Sequence, residues 1–237
     1  MGQQTEPIAT AAHDVASFPV RTRRERLIAA MATVVSEEGY GAASVSKVVA
    51  AAGVSRNTFY EHFANKEECF LAAYDAAVEL VIARVRAASA AETSRQAALE
   101  AGFAAFLGFA AGEPELAWLC VVEVLAAGPR ALARRDEALR RFADFLEEGR
   151  AEMGASDVSP LLTEVVVGGI YEVIYARILK GDAALLPELL PDIMFVWLAP
   201  FVGAVRANAA RAEVGRRIGV PRDSLHVAPE PGRSTRT

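Results

Sequence analysis

The chain has 237 residues, of which 53% are hydrophobic, and a formal net charge of −5; it is long enough for one large core or two small ones, and too acidic overall for a general polyanion binder. No run of about 18 apolar residues is free of charges or breakers: the nearest, 185–205, contains Pro187, Glu188, Pro191, Asp192 and Pro200, so no membrane span is expected. Cys69 and Cys120 stand far apart with no Cys-x-x-Cys, which argues against a disulfide framework or a zinc site and for two core thiols of a reduced, cytoplasmic protein.

Residues 1–21 show no sustained periodicity and carry no basic segment followed by an apolar one; they read as a flexible arm without a secretory signal. Thr22-x-x-Glu25 is a capping box that opens a first helix, with Leu27, Ile28, Met31, Val34 and Val35 at helical spacing and Gly39 to end it. Ser44 caps a short second helix with Val45, Val48, Val49 and Ala52 inward. "AGVS" makes a turn in which Gly53 takes a positive φ, and Ser55 caps a third helix that buries Phe59 and Phe63. Asn65 caps a fourth, long helix that runs to about Ala91, with Glu68 in its first turn, where the helix dipole favours it.

Beyond it the pattern is helix after helix. One carries Leu99, Phe103, Phe106 and Phe109; "EPELAWLCVVEVLAAG" follows and is broken at Gly128-Pro129; an amphipathic stretch ends near Gly154. Ser159 and Pro160 open the next, as cap and first helical residue. A last long segment starts near Pro187 or Pro191 and runs to about Asn208 or Ile218, bent by Pro200. Residues 219–237 read as a polar, Pro-rich flexible tail. The fold class is all-α: a three-helix N-terminal domain at 22–68 and a larger helical body at 69–218.

The stretch "SVSKVVAAAGVSRNTFYEHFANKEE" joins two short helices by a Gly-containing turn, which is the layout of a helix-turn-helix. The third helix presents small and fork-shaped polar groups at its start, Ser55, Arg56, Asn57 and Thr58. Arg suits guanine, Asn suits adenine and a Thr methyl suits thymine. Tyr60, His62 and Lys66 lie towards the rim, where phosphates pass; His62 has the alternative of a capping or packing histidine. Residues 21–66 hold seven Lys/Arg against four Glu, a local net of +3 on an acidic chain, the footprint that a phosphate-binding surface requires.

The wording of "AAGVSRNTFYEHFANKEECFLAAYDAA" resembles the DNA-binding domain of the tetracycline-repressor (TetR) family of bacterial transcriptional regulators. The matching residues are Gly39-Tyr40, Ala52-Gly53-Val54-Ser55, Thr58-Phe59-Tyr60, His62-Phe63 and Lys66-Glu67-Glu68, spanning about 22–75. The chain departs from the usual family pattern at Val48-Val49, where Ile-Ala is common, and at Asn57, where Gly is common; a base contact by Asn57 is read from its chemistry alone. The resemblance implies that Ser44, Tyr60, His62 and Lys66 contact the DNA backbone and that Arg56 and Thr58 face the groove. It also implies a homodimer on a palindromic operator, and a body that binds a small-molecule effector.

Within that body, Phe103, Phe106, Trp118, Phe145, Tyr171 and Tyr175 belong to an aromatic supply that fills a core or lines an apolar pocket. Glu123 falls three or four residues after Leu119 and Cys120 and so projects from the apolar face; it either forms an internal ion pair with Arg140 or Arg177 or orients a ligand. Gly168, Gly169 and Ala176 mark a close helix approach, and with the last helix they predict a four-helix dimer interface. No phosphate loop, Ser-His-Asp set, paired-carboxylate motif or His-x-x-x-His is present, so no enzyme activity, cofactor or metal is expected. The function expected is a ligand-responsive transcriptional regulator acting as a repressor; the alternative is a helical adaptor without DNA binding.

Overall fold

The computed structural model describes residues 21–152, 159 and 161–219; the N-terminal arm before residue 21, Pro160, Gly154 and the tail after residue 219 lie outside the described residues. Ten α-helices run in order: α1 Arg23–Glu38, α2 Val45–Ala52, α3 Arg56–His62, α4 Lys66–Ala90, α5 Arg95–Gly112, α6 Pro114–Val121, α7 Pro129–Glu152, α8 Leu161–Leu179, α9 Leu190–Val202 and α10 Ala204–Ile218. Two 3-10 turns, Glu123–Leu125 and Ala183–Leu189, complete the described architecture. There is no strand among the described residues.

Helix starts are set locally by side-chain caps. The Thr22 hydroxyl accepts the Glu25 N–H at 3.1 Å, while the Glu25 carboxylate accepts the N–H groups of Arg21 and Thr22 at 2.7 Å each. Those two backbone donors hold the Glu25 carboxyl below its usual range. Ser44, Ser55, Asn65 and Ser94 cap α2, α3, α4 and α5 in the same manner, each such cap being worth about 1 kcal/mol. Gly53 sits at φ 61°, ψ 39°, and the next N–H, of Val54, returns to the Val49 carbonyl at 3.1 Å. This left-handed residue turns α2 into α3.

The first apolar cluster fills the space between α1, α2, α3 and α4 with Leu27, Met31, Val48, Phe59 and Phe70, all fully enclosed. It continues without a gap into Leu116, Leu119, Val124 and Ala131 of the body. A second cluster is built from Leu99, Leu107, Ile174, Leu186, Met194, Trp197 and Leu198. α4, 25 residues long, lines the first cluster from the helix-turn-helix to Val85. The N-terminal unit is thus packed onto the body by its own core, with α4 as the shared member.

The C-terminal end differs from the single bent helix expected. α9 stops at Val202, and Gly203, at φ 81°, turns the chain so that α10 folds back on α9. Asp192 near the start of α9 pairs with Arg211 of α10 at 2.6 Å, and Arg217 reaches Glu100 on α5. Ala207 and Val214 are the buried contacts of α10. Pro200 stays inside the last turn of α9 and does not break it. A single positive-φ glycine reverses the chain where proline was expected to bend it. The stretch before α7 also departs from a single helix: α6 ends at Val121 and a 3-10 turn carries Glu123.

Candidate nucleic-acid interface and effector cavity

α3 is held by Phe59 and Phe63, both buried, so its opposite face must look outward. Ser55, Arg56, Asn57, Tyr60, Glu61 and His62 are exposed on it. Tyr60 is 50% exposed although aromatic, and the Arg56 guanidinium lies 6.0 Å from its ring centroid, a stack that leaves the N–H fork of Arg56 directed to solvent. Ser44 is half-buried at the start of α2. The N-termini of α2, α3 and α4 belong to one small unit, and each ends in N–H groups suited to an anion.

Two of the expected DNA contacts are engaged elsewhere. Thr58 is only 8% exposed, and its hydroxyl lies 3.0 Å from that of Ser55. It sits at the third helical position, where the cap itself draws the side chain inward, so its methyl does not face the groove. Lys66 donates from Nζ to the Tyr40 carbonyl at 2.8 Å and the Ala43 carbonyl at 3.0 Å, and lies 4.2 Å from the Tyr40 ring centroid. The ammonium closes the α1–α2 connection against the start of α4, which leaves one of its three donors for anything else.

The body contains a partly open cavity of about 110 Å³, the share of liquid volume of roughly four waters. Its walls come from α4 (Tyr74, Val78, Val81), α5 (Gly102, Phe103, Phe106), α6 (Ala117, Cys120, Val121), α7 (Arg135, Phe142, Phe145) and α8 (Ile170, Tyr171, Ile174). Gly102 is there for closeness: a Cβ on it would stand 2.8 Å from Ser89 Oγ and 3.0 Å from Phe145. Of the expected ligand residues, Phe103, Phe106, Phe145 and Tyr171 line this space, and Trp118, Glu123 and Tyr175 do not.

Tyr74, Cys120, Arg135 and Tyr171 are neighbours in the wall, whose surface towards the cavity is almost entirely apolar. Tyr171 donates its hydroxyl to the Val121 carbonyl at 2.9 Å, and the Arg135 guanidinium lies 5.8 Å from the Tyr171 ring centroid. Burial pushes the Cys120 thiol up to about 12 and raises the Tyr74 and Tyr171 hydroxyls above their usual range, so all three are neutral at physiological pH. Arg135 is the only charged residue of the lining. The sequence reading passed over it, although Ala131, Arg135, Ala138 and Phe142 recur at helical spacing and put it on the buried stripe of α7.

Glu123 takes neither of the roles expected. Among the described residues it pairs with no arginine, and it does not line the cavity; α6 ends before it and the 3-10 turn swings it towards the N-terminal unit. Its Oε2 accepts the backbone N–H of Tyr40 at 2.6 Å and its Oε1 accepts Trp118 Nε1–H at 3.0 Å. One carboxylate therefore joins the α1–α2 connection to α6, whose Val121 carbonyl borders the cavity two residues away. Among the described residues, no group of three or more His, Cys, Asp or Glu side chains is placed to hold a metal ion.

Residues 27–73, from α1 through the first two turns of α4, match the family profile described as "Bacterial regulatory proteins, tetR family". The helix-turn-helix unit thus carries the TetR-family DNA-binding profile. A curated relative, the HTH-type transcriptional activator FasR of Mycolicibacterium smegmatis, is 34% identical over 92 residues, which are 39% of this chain and 42% of FasR. The matched region thus spans less than half of that relative. Among solved structures, the fatty acid degradation regulator FadR of Bacillus halodurans superposes with a TM-score of 0.68 at 22% identity, covering 77% of this chain and 96% of its own. FadR of Bacillus subtilis, solved with stearoyl-CoA, superposes with a TM-score of 0.65 at 20% identity, covering 75% and 97%. The fold of these two regulators therefore extends over the helical body as well as the helix-turn-helix.

Proposed function

We propose that this chain is a one-component transcriptional regulator that binds operator DNA through α3 and changes its grip when a small apolar or amphipathic molecule fills the cavity. The observation that carries this reading is the junction at Glu123: one carboxylate ties the α1–α2 connection to the helix that walls the cavity. A molecule that displaces α6 pulls on Tyr40 and so on the helix-turn-helix. It favours the conformer that it fits, by no more than its difference in affinity for the two states. We take the output to be repression relieved by the ligand, and the site of action to be the cytoplasm, where the operator is.

The ligand class follows from the wall chemistry and the relatives together. A partly open space lined by aliphatic and aromatic side chains suits a chain-like hydrocarbon, and FadR of Bacillus subtilis was solved with a fatty acyl thioester. An acyl-type effector is the reading best supported.

The working form is a homodimer on a palindromic site, with half-sites one helical turn or a small multiple apart. α8 exposes Leu161, Val165 and Val173, and α9 exposes Val196. Gly168 and Gly169 stand on the exposed side of α8 with open space where a Cβ would be. An apolar face with glycines at its centre permits close packing of a second copy. Of the expected DNA contacts, Ser44, Ser55, Arg56, Asn57, Tyr60 and His62 are retained here; Thr58 and Lys66 act by holding the motif in shape.

Selection of genomic fragments retained by the purified protein, followed by release with acyl compounds, tests the reading. Retention of a palindrome and its release by such a compound are expected. Indiscriminate retention, or no retention at all, would favour the adaptor instead. Because FasR is described as an activator, transcription from the selected operator is to be measured in both directions.

A further inference from the structure

The surface arginines of this chain fall into two groups. On α7, Arg130, Arg134 and Arg141 each meet a carboxylate of α4, and on α10, Arg211, Arg216 and Arg217 each meet one as well. At the start of α1 the pattern is reversed. Arg23 and Arg26 are exposed, and among the described residues neither meets a carboxylate. Glu25, between them, is spent on the backbone: its Oε2 accepts the N–H groups of Arg21 and Thr22. Arg23 and Arg26 stand three positions apart, on one face of the first turn. Mutual repulsion and the positive end of the helix dipole both disfavour two cations there. An anion seated on the pair relieves both.

We propose that Arg23 and Arg26 form a second contact with duplex DNA, binding backbone phosphates beside those met by the His62 end of α3. The inference rests on the reading of α3 as the DNA-reading helix and adds a separate anchoring surface. What joins the two is Arg24, whose guanidinium lies 5.2 Å from the ring centroid of Phe63, the residue that ends α3. Arg24, His62 and Phe63 line one open groove, so the first turn of α1 abuts the end of α3. Arg24 is thus a positioning residue, and a duplex seated on α3 brings its phosphates to the turn that carries Arg23 and Arg26. Their Cβ atoms are about 5–6 Å apart, and one DNA strand presents a phosphate about every 3.4 Å along the helix axis. Two long side chains therefore reach neighbouring phosphates, and each planar fork fits phosphate oxygens in two hydrogen bonds.

The test is the salt dependence of binding of the full chain to the palindromic duplex it retains and to a scrambled duplex of equal length. It is run on the wild type and on the double variant Arg23→Gln, Arg26→Gln. A control pair, Arg86→Gln with Arg206→Gln, removes the same charge from exposed positions of α4 and α10. The slope of log affinity against log salt should become shallower by about two units in the α1 variant, on both duplexes. Its loss of affinity between 50 and 200 mM salt should then be roughly tenfold smaller than that of the wild type. The control should keep the wild-type slope, and the preference for the palindrome should hold, because phosphate contacts carry no sequence information. Arg23→Lys with Arg26→Lys should keep most of the slope, which guards against a glutamine variant that fails to fold. An unchanged slope in the α1 variant, or an equal change in the control, overturns the phosphate assignment and leaves α3 as the reading helix. A lost preference for the palindrome also overturns it, in favour of base contacts. If the wild type binds neither duplex, the regulator reading falls as well.

Discussion

The backbone N–H of Tyr40 is held at 2.6 Å by the carboxylate of Glu123, a residue 83 positions further along the chain. The other oxygen of that carboxylate takes the indole N–H of Trp118. A Gln at this position has one acceptor and one NH2 group, so one of the two donors would meet another donor. Glu123→Gln should therefore lose about 1–3 kcal/mol and lower the melting temperature by roughly 2–10 °C for a chain of this size. It should also weaken the response of operator binding to the ligand while ligand affinity itself holds. Thermal melts, operator release and titration on one preparation check all three.

Arg56 is exposed at the start of α3 with its guanidinium against the Tyr60 ring. Arg56→Ala should cost about 1–3 kcal/mol on the cognate operator and relax the preference at one base pair of each half-site. Affinities on cognate and single-substituted duplexes measure this directly. Unchanged affinity and preference would remove α3 from the groove.

For Lys66 the structure leads to a different expectation from a phosphate contact. Lys66→Met should lower stability by about 1–3 kcal/mol, because the Tyr40 and Ala43 carbonyls lose a charged donor. The slope of log affinity against log salt should stay as in the wild type. A slope shallower by about one unit would restore the phosphate contact.

The thiols offer a check on burial. The usual thiol value here is 9.0, and burial pushes both Cys69 and Cys120 up to about 12. At pH 8 the folded chain therefore holds roughly a thousandfold less thiolate than the unfolded chain. An aromatic disulfide reagent should label neither residue until the protein is denatured. The sign of the linkage follows: stability from these groups is complete below pH 9 and falls as pH rises towards 12, where the unfolded chain ionises first. Denaturant midpoints at pH 8 and pH 10.5 should show that loss.

In the proposed dimer, Gly169 of α8 is expected to meet the partner copy. Gly169→Arg should leave the protomer folded, since nothing lies within 4 Å of an added Cβ, and should give a monomer by light scattering. A wild-type chain that is monomeric at micromolar concentration, or a variant that still dimerises, would place the interface elsewhere.

The sequence made legible what is decided within a few residues. Thr22, Ser44, Ser55 and Asn65 cap the helices expected of them because a cap and its N–H partner are three positions apart. The same locality hid the inward turn of Thr58, whose hydroxyl is drawn into the Ser55 cap. The contacts of Lys66 and Glu123 were not legible because their partners include backbone groups 23, 26 and 83 residues away, and backbone partners leave no mark in side-chain patterning. Arg135 had a readable signal in the apolar stripe of α7, but the run of arginines around it looks like a solvated face. The reversal at Gly203 was masked by Ala-rich helix formers on both sides, while Pro200 three residues earlier gave the louder breaker signal.

Along the flank of α4, Glu67, Asp75 and Glu79 face Arg130, Arg134 and Arg141 of α7 at 3.3, 3.7 and 2.6 Å. These three pairs are solvent-facing and join the helix that follows the helix-turn-helix to a helix that walls the cavity, so in the proposed mechanism dissolved ions act on this junction as well as on the phosphates. A salt titration of operator binding then reports two processes at once, counterion release from DNA and slackening of this ladder. The apparent number of phosphates neutralised will differ from the true one by the ladder's share. Repeating the titration with Glu79→Gln and Arg141→Gln together would separate the two.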